Sequence, residues 1–315
     1  MLATLAALDD WTTMENALLT ARRATNDADK AAEIVKGLIE QELAVVEDSP
    51  AAERDQQYRD NWRWGAVAGW YQFSLRDQEF LEGEQTEDRM RKYREVGDMP
   101  PVLATHEGIE DRIELPNFDL EDPFFAELHA RRSSRKYSGG SISLKALASC
   151  LFAANGVTSV NEHGPFGVLP KTMTPSGGAR NPYELYVYAR AVTDVAPGFY
   201  HYSALDHDLA PVNTSTTPRP IELLGTQKWT NDAAAIVFMV ATFERMAWKY
   251  RQPLAWRVVL METGYIAQNL LLAANHLGLA AAPTGALAES RIEEIIGVDG
   301  LQSAAIFAVV IGDPA

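Results

Sequence analysis

The sequence predicts an α+β fold, and three observations carry that expectation. Residues 234–241 and 304–311 are apolar runs of strand length, and 184–189 alternates Leu185, Val187 and Ala189 against Tyr186 and Tyr188. Residues 256–277 are apolar at helical spacing, with Val259, Thr263, Ile266, Leu270, Ala273 and Leu277 on one stripe. Charge is uneven along the 315 residues: the net −15 comes mostly from residues 1–115, which hold 25 acidic and 13 basic side chains. Two regions with different tasks follow from that asymmetry.

Taken in order, residues 11–22 and 27–42 read as helices. Thr25-Asn26-Asp27 supplies caps for the second, whose buried face is Ala31, Ile34, Val35, Leu38 and Ile39. Leu43-Ala44-Val45-Val46 reads as a short strand, which makes residues 1–76 a small winged-helix-like N-terminal region. Trp62, Ala66, Trp70 and Phe73 fall at helical spacing and predict a core stripe. Residues 77–122, acidic and broken by Pro100-Pro101 and Pro116, read as an irregular connector.

The larger domain spans 123–315. It opens on a helix at 123–129. Ser143 caps a second helix, 144–154, which turns Leu147, Leu151 and Ala154 inward and ends at Asn155-Gly156. Residues 157–174 read as a loop placed to cover a substrate. Strands are expected at 184–189, 198–202, 280–283 and 304–311, with 234–241 as the buried central one. The helix 256–277 is apolar almost all round, so it should be enclosed on every side; a short helix follows at 292–296.

Composition excludes several functions. Apolar residues at 47% supply a sizeable core, and 23% charged residues are ordinary for a soluble chain. The acidic balance argues against a nucleic-acid partner. Cys150 is the only cysteine and sits in an apolar run, so it reads as a buried thiol, with no disulfide or Cys-x-x-Cys pair. His201 and His207 lack the spacing or acidic companions of a metal site. The first eleven residues have no basic segment and meet Asp9-Asp10 early, unlike a secretory signal. The apolar segment 254–282 contains Arg257, Glu262, Gln268, Asn269 and His276, so it is no membrane span. A cytoplasmic location without membrane partners is expected. Rossmann glycines and a Walker loop are both missing.

The stretch Arg131-Arg132-Ser133-Ser134-Arg135-Lys136-Tyr137 puts four cations within six positions of an acidic chain. Arginine forks with short hydroxyls are groups that hold a terminal phosphate; a solvated basic turn is the plainer alternative. Further along come Pro175-Ser176-Gly177-Gly178-Ala179-Arg180-Asn181-Pro182, the Gly-x-Tyr-x-Tyr run at 198–202, Lys249-Tyr250, Gln268-Asn269-Leu270 and Pro283-Thr284-Gly285. In this order the motifs resemble the flavin-dependent nitroreductase family, and within it the azoline dehydrogenases often called SagB-type. The resemblance covers roughly residues 125–315.

That resemblance implies a nitroreductase-like mixed sheet wrapped by helices around the long helix, FMN as cofactor, and a homodimer with flavin at its interface. Arg131, Arg132, Ser133 and Arg135 match the family's phosphate anchor. Pro175, Ser176, Gly177 and Asn181 match its contacts to the flavin ring or ribityl chain, Thr284 and Gly285 its second approach, and Gln268 its helix motif. Lys249 and Tyr250 match the catalytic pair, expected to remove a proton while hydride goes to flavin. Lysine acts as a base only where burial or neighbouring cations, here Arg245 and Arg251, favour its neutral form. The chain lacks the basic residue with which many family members close, so Arg180 or Arg291 is a candidate supplement at the phosphate. The implied substrate is an azoline in a ribosomally made peptide, with a cyclodehydratase partner. For the N-terminal region the choice lies between leader-peptide docking and a packing or dimer-embracing arm. An NAD(P)H-dependent nitro or quinone reductase and a flavin-free scaffold subunit remain as alternatives.

Overall fold

A computed structural model describes residues 11–103 and 113–315, apart from Glu42, Glu79 and Glu82. The chain divides into two compact units between Arg63 and Trp64, ahead of the boundary expected at residue 76.

The first unit is helical among its described residues: α1 (Met14–Thr25), α2 (Ala28–Glu40) and α3 (Pro50–Asn61). Asp27 caps α2 as expected, accepting the N–H groups of Asp29 and Lys30 at 2.9 and 3.3 Å, and Ser49 caps α3. Ala17 and Ala21 of α1 pack against Ala31 and Val35 of α2. The strand expected at 43–46 does not form. The N–H groups of Leu43 and Ala44 close back on the Leu38 carbonyl at 2.8 and 3.1 Å, so this backbone finishes α2 and has no ladder to join. Among the described residues of this unit no strand forms, so the wing expected of a winged-helix-like region is not among them. They border a cavity of about 550 Å³ lined by Trp11, Met14, Val35, Ile39 and Val46, with the Asp55–Arg59 pair among its walls. None of the expected site residues lies there.

The second unit opens with α4 (Gly65–Ser74). The expected core stripe is borne out only at Trp62, which is buried: Trp70 is 73% exposed, and Trp64, Ala68 and Gly69 are buried in its place. The cause is that Trp64 precedes the helix and turns inward, its ring 6.0 Å from Phe243 and 5.8 Å from Trp256. The connector holds a helix, α5 (Glu84–Val96), that sequence reading missed because it buries nothing; residues 104–112 lie outside the described part.

From there the chain follows the sequence more closely. Helices α6 (Pro123–Ala130) and α7 (Leu144–Asn155) form where expected, with Ser143 accepting the Ala146 N–H at 3.1 Å. Cys150 is fully buried, and burial pushes its thiol pKa up to about 12. Residues 157–174 are not a loop but an antiparallel hairpin of β1 (Val157–Glu162) and β2 (Val168–Thr172). Most of its side chains face water, so ladder hydrogen bonds hold it without the apolar alternation that marks a strand in sequence.

The main sheet has the order β5-β4-β3-β6-β8-β7: β3 (Tyr183–Ala189), β4 (Gly198–Ser203), β5 (Asp208–Asn213), β6 (Ala235–Thr242), β7 (Ala280–Thr284) and β8 (Ser303–Gly312). Every ladder is antiparallel where a mixed sheet was expected; the α+β class holds. Edge strand β5, mostly exposed, was not foreseen. A short helix, α8 (Phe243–Lys249), follows β6, and the long helix α9 (Leu254–His276) packs on α7, β7 and β8. On one sheet face, α10 (Glu289–Ile296) buries Ile292 and Ile296 with Ile236, Phe238 and Val240. Within one chain α9 is not enclosed on every side, for Met261 is 50% and Tyr265 41% exposed. No described helix is long and apolar enough to cross a membrane.

Candidate functional site

Antiparallel pairing sets Tyr183 of β3 opposite Ala241 of β6, and the Thr242 N–H donates to the Pro182 carbonyl at 2.7 Å. The turn entering β3 and the helix leaving β6 therefore meet at one end of the sheet. In that turn Gly178, Ala179 and Asn181 all adopt left-handed backbone, with φ of 62°, 53° and 44°. For the two non-glycine residues this costs roughly 1–3 kcal/mol each, so neighbours must impose it.

Glu262, 2% exposed on α9, accepts the Gly177 N–H at 2.7 Å and the Ser176 hydroxyl at 3.2 Å. Ser176 Oγ accepts the Asn181 N–H at 2.9 Å, Asn181 Oδ1 accepts the Thr172 hydroxyl at 3.0 Å, and Arg245 donates to the Asn181 carbonyl at 3.0 Å. Burial pushes the Glu262 pKa up, and its two hydrogen bonds offset that only in part. Pro175 stands exposed at the start of the turn.

Lys249 is the last residue of α8, and Tyr250 is its cap. The Tyr250 carbonyl accepts the Trp64 indole N–H at 3.0 Å, which anchors this corner to the aromatic cluster beneath. A Cβ placed on Gly178 would lie 2.6 Å from Lys249 Nζ and would also collide with the Tyr250 hydroxyl. Glycine is what lets the two groups approach the turn. Arg245 does not act on Lys249 as a bare cation: it pairs with Glu184 at 2.5 Å, and the other Glu184 oxygen meets His201 Nε2 at 2.8 Å. Burial alone would raise the Glu184 pKa, but His201 and Arg245 hold it below the usual carboxylate range. His201 thus does have an acidic companion, brought by strand pairing from Glu184; no described group of three His, Cys, Asp or Glu could hold a metal.

The basic stretch lies elsewhere. Arg131 caps α6, the Ser134 N–H donates to the Ala281 carbonyl of β7 at 2.9 Å, and buried Tyr137 bridges to Pro314. This fixes a strip of backbone along the sheet edge with Arg132, Ser133 and Arg135 exposed. Arg131 Nη1 reaches Ser133 Oγ at 3.5 Å, and the Arg135 guanidinium lies 5.5 Å from the Trp229 ring centre. Among the described residues no carboxylate pairs with Arg131, Arg132 or Arg135.

The remaining expected residues divide. Thr284 Oγ1 accepts from Gln227 Nε2 at 2.9 Å and from the Ala286 N–H at 3.1 Å, a structural use. Gly285 is exposed, and Gln268 is exposed on α9. Its neighbour Asn269 donates to the Ala153 and Met173 carbonyls at 3.1 and 3.2 Å, tying α9 to α7 and to the approach of the turn.

The structure therefore brings Ser176, Gly177 and Asn181 together with Lys249 and Tyr250, and separates them from the basic strip. Glu262 marks the first group on α9; Asn275 and His276, which hold Glu127 of α6 at 3.3 and 2.8 Å, mark the second. At ~1.5 Å per residue these points lie about 20 Å apart along the helix. The sheet agrees: Ala235 of β6 pairs with Ile311 near the basic strip, while Thr242 at its other end adjoins the turn, a run of about 24 Å.

Residues 128–313 match the family described as Nitroreductase. The chain belongs to the nitroreductase family. Its relatives include a Methanocaldococcus jannaschii protein named as a nitroreductase, MJ1384, 35% identical over 59% of this chain and 89% of that protein. Trifolitoxin-processing protein TfxB of Rhizobium leguminosarum bv. trifolii is 30% identical over 51% of this chain, and microcin B17-processing protein McbC of Escherichia coli 28% over 44%. This chain spans about half of each of those two, 44% and 53% of their lengths. Among solved structures, a nitroreductase-like protein of Ralstonia eutropha JMP134 superposes with a TM-score of 0.51 at 25% identity, covering 64% of this chain and 88% of that one. A chain of the E. coli microcin synthetase McbBCD complex with truncated pro-MccB17 bound gives 0.56 at 19% identity, covering 88% and 97%.

Nitroreductase-family members typically bind flavin, and the basic strip of this chain suits the phosphate of one. It offers three guanidinium groups and a hydroxyl with no acid paired to them among the described residues, the donor set a phosphate needs. At Gly177 and Gly178 a Cβ would meet Val258 and Glu262, or Lys249 and Tyr250, so the absence of side chains is what lets those groups close on the turn. Sequence reasoning missed Glu262 and Glu184 as members of this site. For Glu262 the signal was present: a single acid on the apolar stripe of a buried helix must have a partner.

Proposed function

We propose that this chain is an FMN-dependent dehydrogenase that oxidises an azoline ring in a ribosomally made peptide to the azole. The observation that carries this reading is the approach of Lys249 Nζ and the Tyr250 hydroxyl to the Gly177–Gly178 turn, in a chain with two relatives named as peptide-processing proteins. Aromatising an azoline removes a proton from Cα and a hydride from Cβ. When bound, the flavin supplies the hydride acceptor. Lys249 takes the Cα proton, and Tyr250 donates a hydrogen bond to the ring or its carbonyl. Arg131, Arg132, Ser133 and Arg135 would hold the phosphate of a bound FMN; Ser176, Gly177 and Asn181 would lie by its ring.

The 20 Å between these two groups argues for a homodimer. One chain's basic strip then serves the partner's turn, and the exposed Met261–Tyr265 face of α9 supplies a contact. An azoline must first be made by a cyclodehydratase, which is the partner class this activity requires. Substrate decides the matter. Incubated with an azoline-containing peptide and an electron acceptor, the yellow protein should remove two mass units from the peptide. NAD(P)H-driven reduction of nitro compounds or quinones without that loss would favour the reductase, the activity suggested by the name of MJ1384. A colourless protein that binds no FMN would favour a scaffold role.

A further inference from the structure

Arg180 occupies the same turn as Gly178 and is the group there with unspent hydrogen-bonding capacity. Its Nη1 is buried and has no hydrogen-bond partner among the described residues, while its Nε donates to the Arg245 carbonyl at 3.3 Å and so orients the guanidinium. Arg245 has its charge met by Glu184; among the described residues Arg180 has no carboxylate within ion-pair range. Leaving a charged donor buried and unmade is costly, and native proteins do so chiefly where a ligand completes the bond. Trp248 packs against Arg180, its ring centre 5.0 Å from the guanidinium carbon. That indole is 55% exposed, so the guanidinium lies against a side chain that itself borders solvent.

We propose that Arg180 is the oxyanion-receiving group of this site, taking an anionic substrate oxygen beside Lys249 and Tyr250. This rests on the azoline reading for its specific chemistry. When the Cα proton passes to Lys249, the C–H electron pair moves onto the adjacent peptide carbonyl, whose oxygen becomes an enolate. A preorganised guanidinium N–H, its Nη1 shielded from solvent, stabilises that charge more than the neutral carbonyl, which is what lowers a barrier. The pair then returns to form the ring C=C bond as hydride leaves Cβ, for which a bound flavin would be the acceptor, so one proton and one hydride are lost in all. Trp248 offers the flat surface on which a five-membered ring rests against the cation.

The test uses the full-length, flavin-loaded protein and 2-methylthiazole-4-carboxylate, which carries fixed anionic oxygens where the enolate oxygen would form. Its binding is followed by tryptophan fluorescence and by perturbation of the flavin spectrum. Arg180→Met should weaken it about 10- to 100-fold and lower kcat on an azoline peptide by a similar factor, with KM changed less and flavin content unchanged. Arg180→Lys, which keeps the charge and guards against a folding defect, should recover part of both. Undiminished carboxylate binding in both variants overturns the proposal. Loss of flavin from Arg180→Met also overturns it, because the cation would then serve the cofactor phosphate. If wild-type protein oxidises no azoline peptide yet binds the carboxylate through Arg180, the anion site stands and the azoline reading falls.

Discussion

Glu262 accepts the Gly177 N–H at 2.7 Å from a position 2% exposed, tying the middle of the longest helix to the turn that faces Lys249 and Tyr250. The position of the turn is thereby set by α9, and its shape by the same hydrogen-bonded set. Gly178→Ala tests how much that shape matters. The added methyl meets Lys249 Nζ at 2.6 Å in left-handed backbone. We expect a loss of about 1–3 kcal/mol in unfolding free energy and a kcat reduced at least tenfold, with FMN still bound. Melting curves and flavin absorbance measure the two effects separately.

Lys249→Ala should abolish azoline oxidation while the protein stays yellow. Nζ lies against the glycine turn, and its removal leaves the basic strip intact. A colourless variant would show that Lys249 serves the cofactor instead.

Arg131→Ala and Arg135→Ala should each weaken FMN binding. Each removes a charged hydrogen bond worth about 1.5–3 kcal/mol, so the dissociation constant measured by fluorescence titration should rise roughly 10- to 150-fold. Equal affinity in both variants would return the strip to a solvated turn.

Glu293 gives the stability a pH dependence. It is 3% exposed, accepts the Ala305 N–H at 3.0 Å and pairs with Arg76. Burial pushes its pKa up to about 7, against the pull of Arg76 and the Ala305 N–H. An acid whose folded pKa is raised binds its proton more tightly in the folded state. Its contribution is therefore fully present below about pH 4.3 and is lost as pH climbs to about 7, a change of order 3 kcal/mol. Glu293→Gln, neutral throughout, should flatten the unfolding free energy across that window in denaturant titrations at successive pH values. An unaltered slope would mean the carboxyl is ionised in both states.

Met261→Glu or Tyr265→Glu, on the exposed face of α9, should give a monomer in sedimentation and, with it, a protein that loses FMN. A monomer that keeps its flavin would place the whole cofactor site within one chain.

Much of the scaffold was legible in the residues. Strands β3, β6 and β8 declare themselves by alternation or by continuous apolar runs, α9 by its stripe, and Ser143 by the capping geometry of a short hydroxyl. What escaped were elements that bury little: the β1–β2 hairpin, β5 and α5 are held by backbone hydrogen bonds, and these leave no apolar period to read. The strand expected at 43–46 failed for the complementary reason, since a β-prone run without a pairing partner finishes a helix instead. Site motifs were visible as strings, but their grouping was not.

By itself the sequence determined which residues are candidates for chemistry: the arginine strip, the glycine turn and the Lys249-Tyr250 pair stand out as short strings that resemble a family's motifs. Only the tertiary structure decided which of them meet. The antiparallel register of β3 on β6 joins the turn to the pair, and the length of α9 holds the strip away. Strand pairing and helix packing are long-range contacts, and no local pattern of residues states who stands opposite whom.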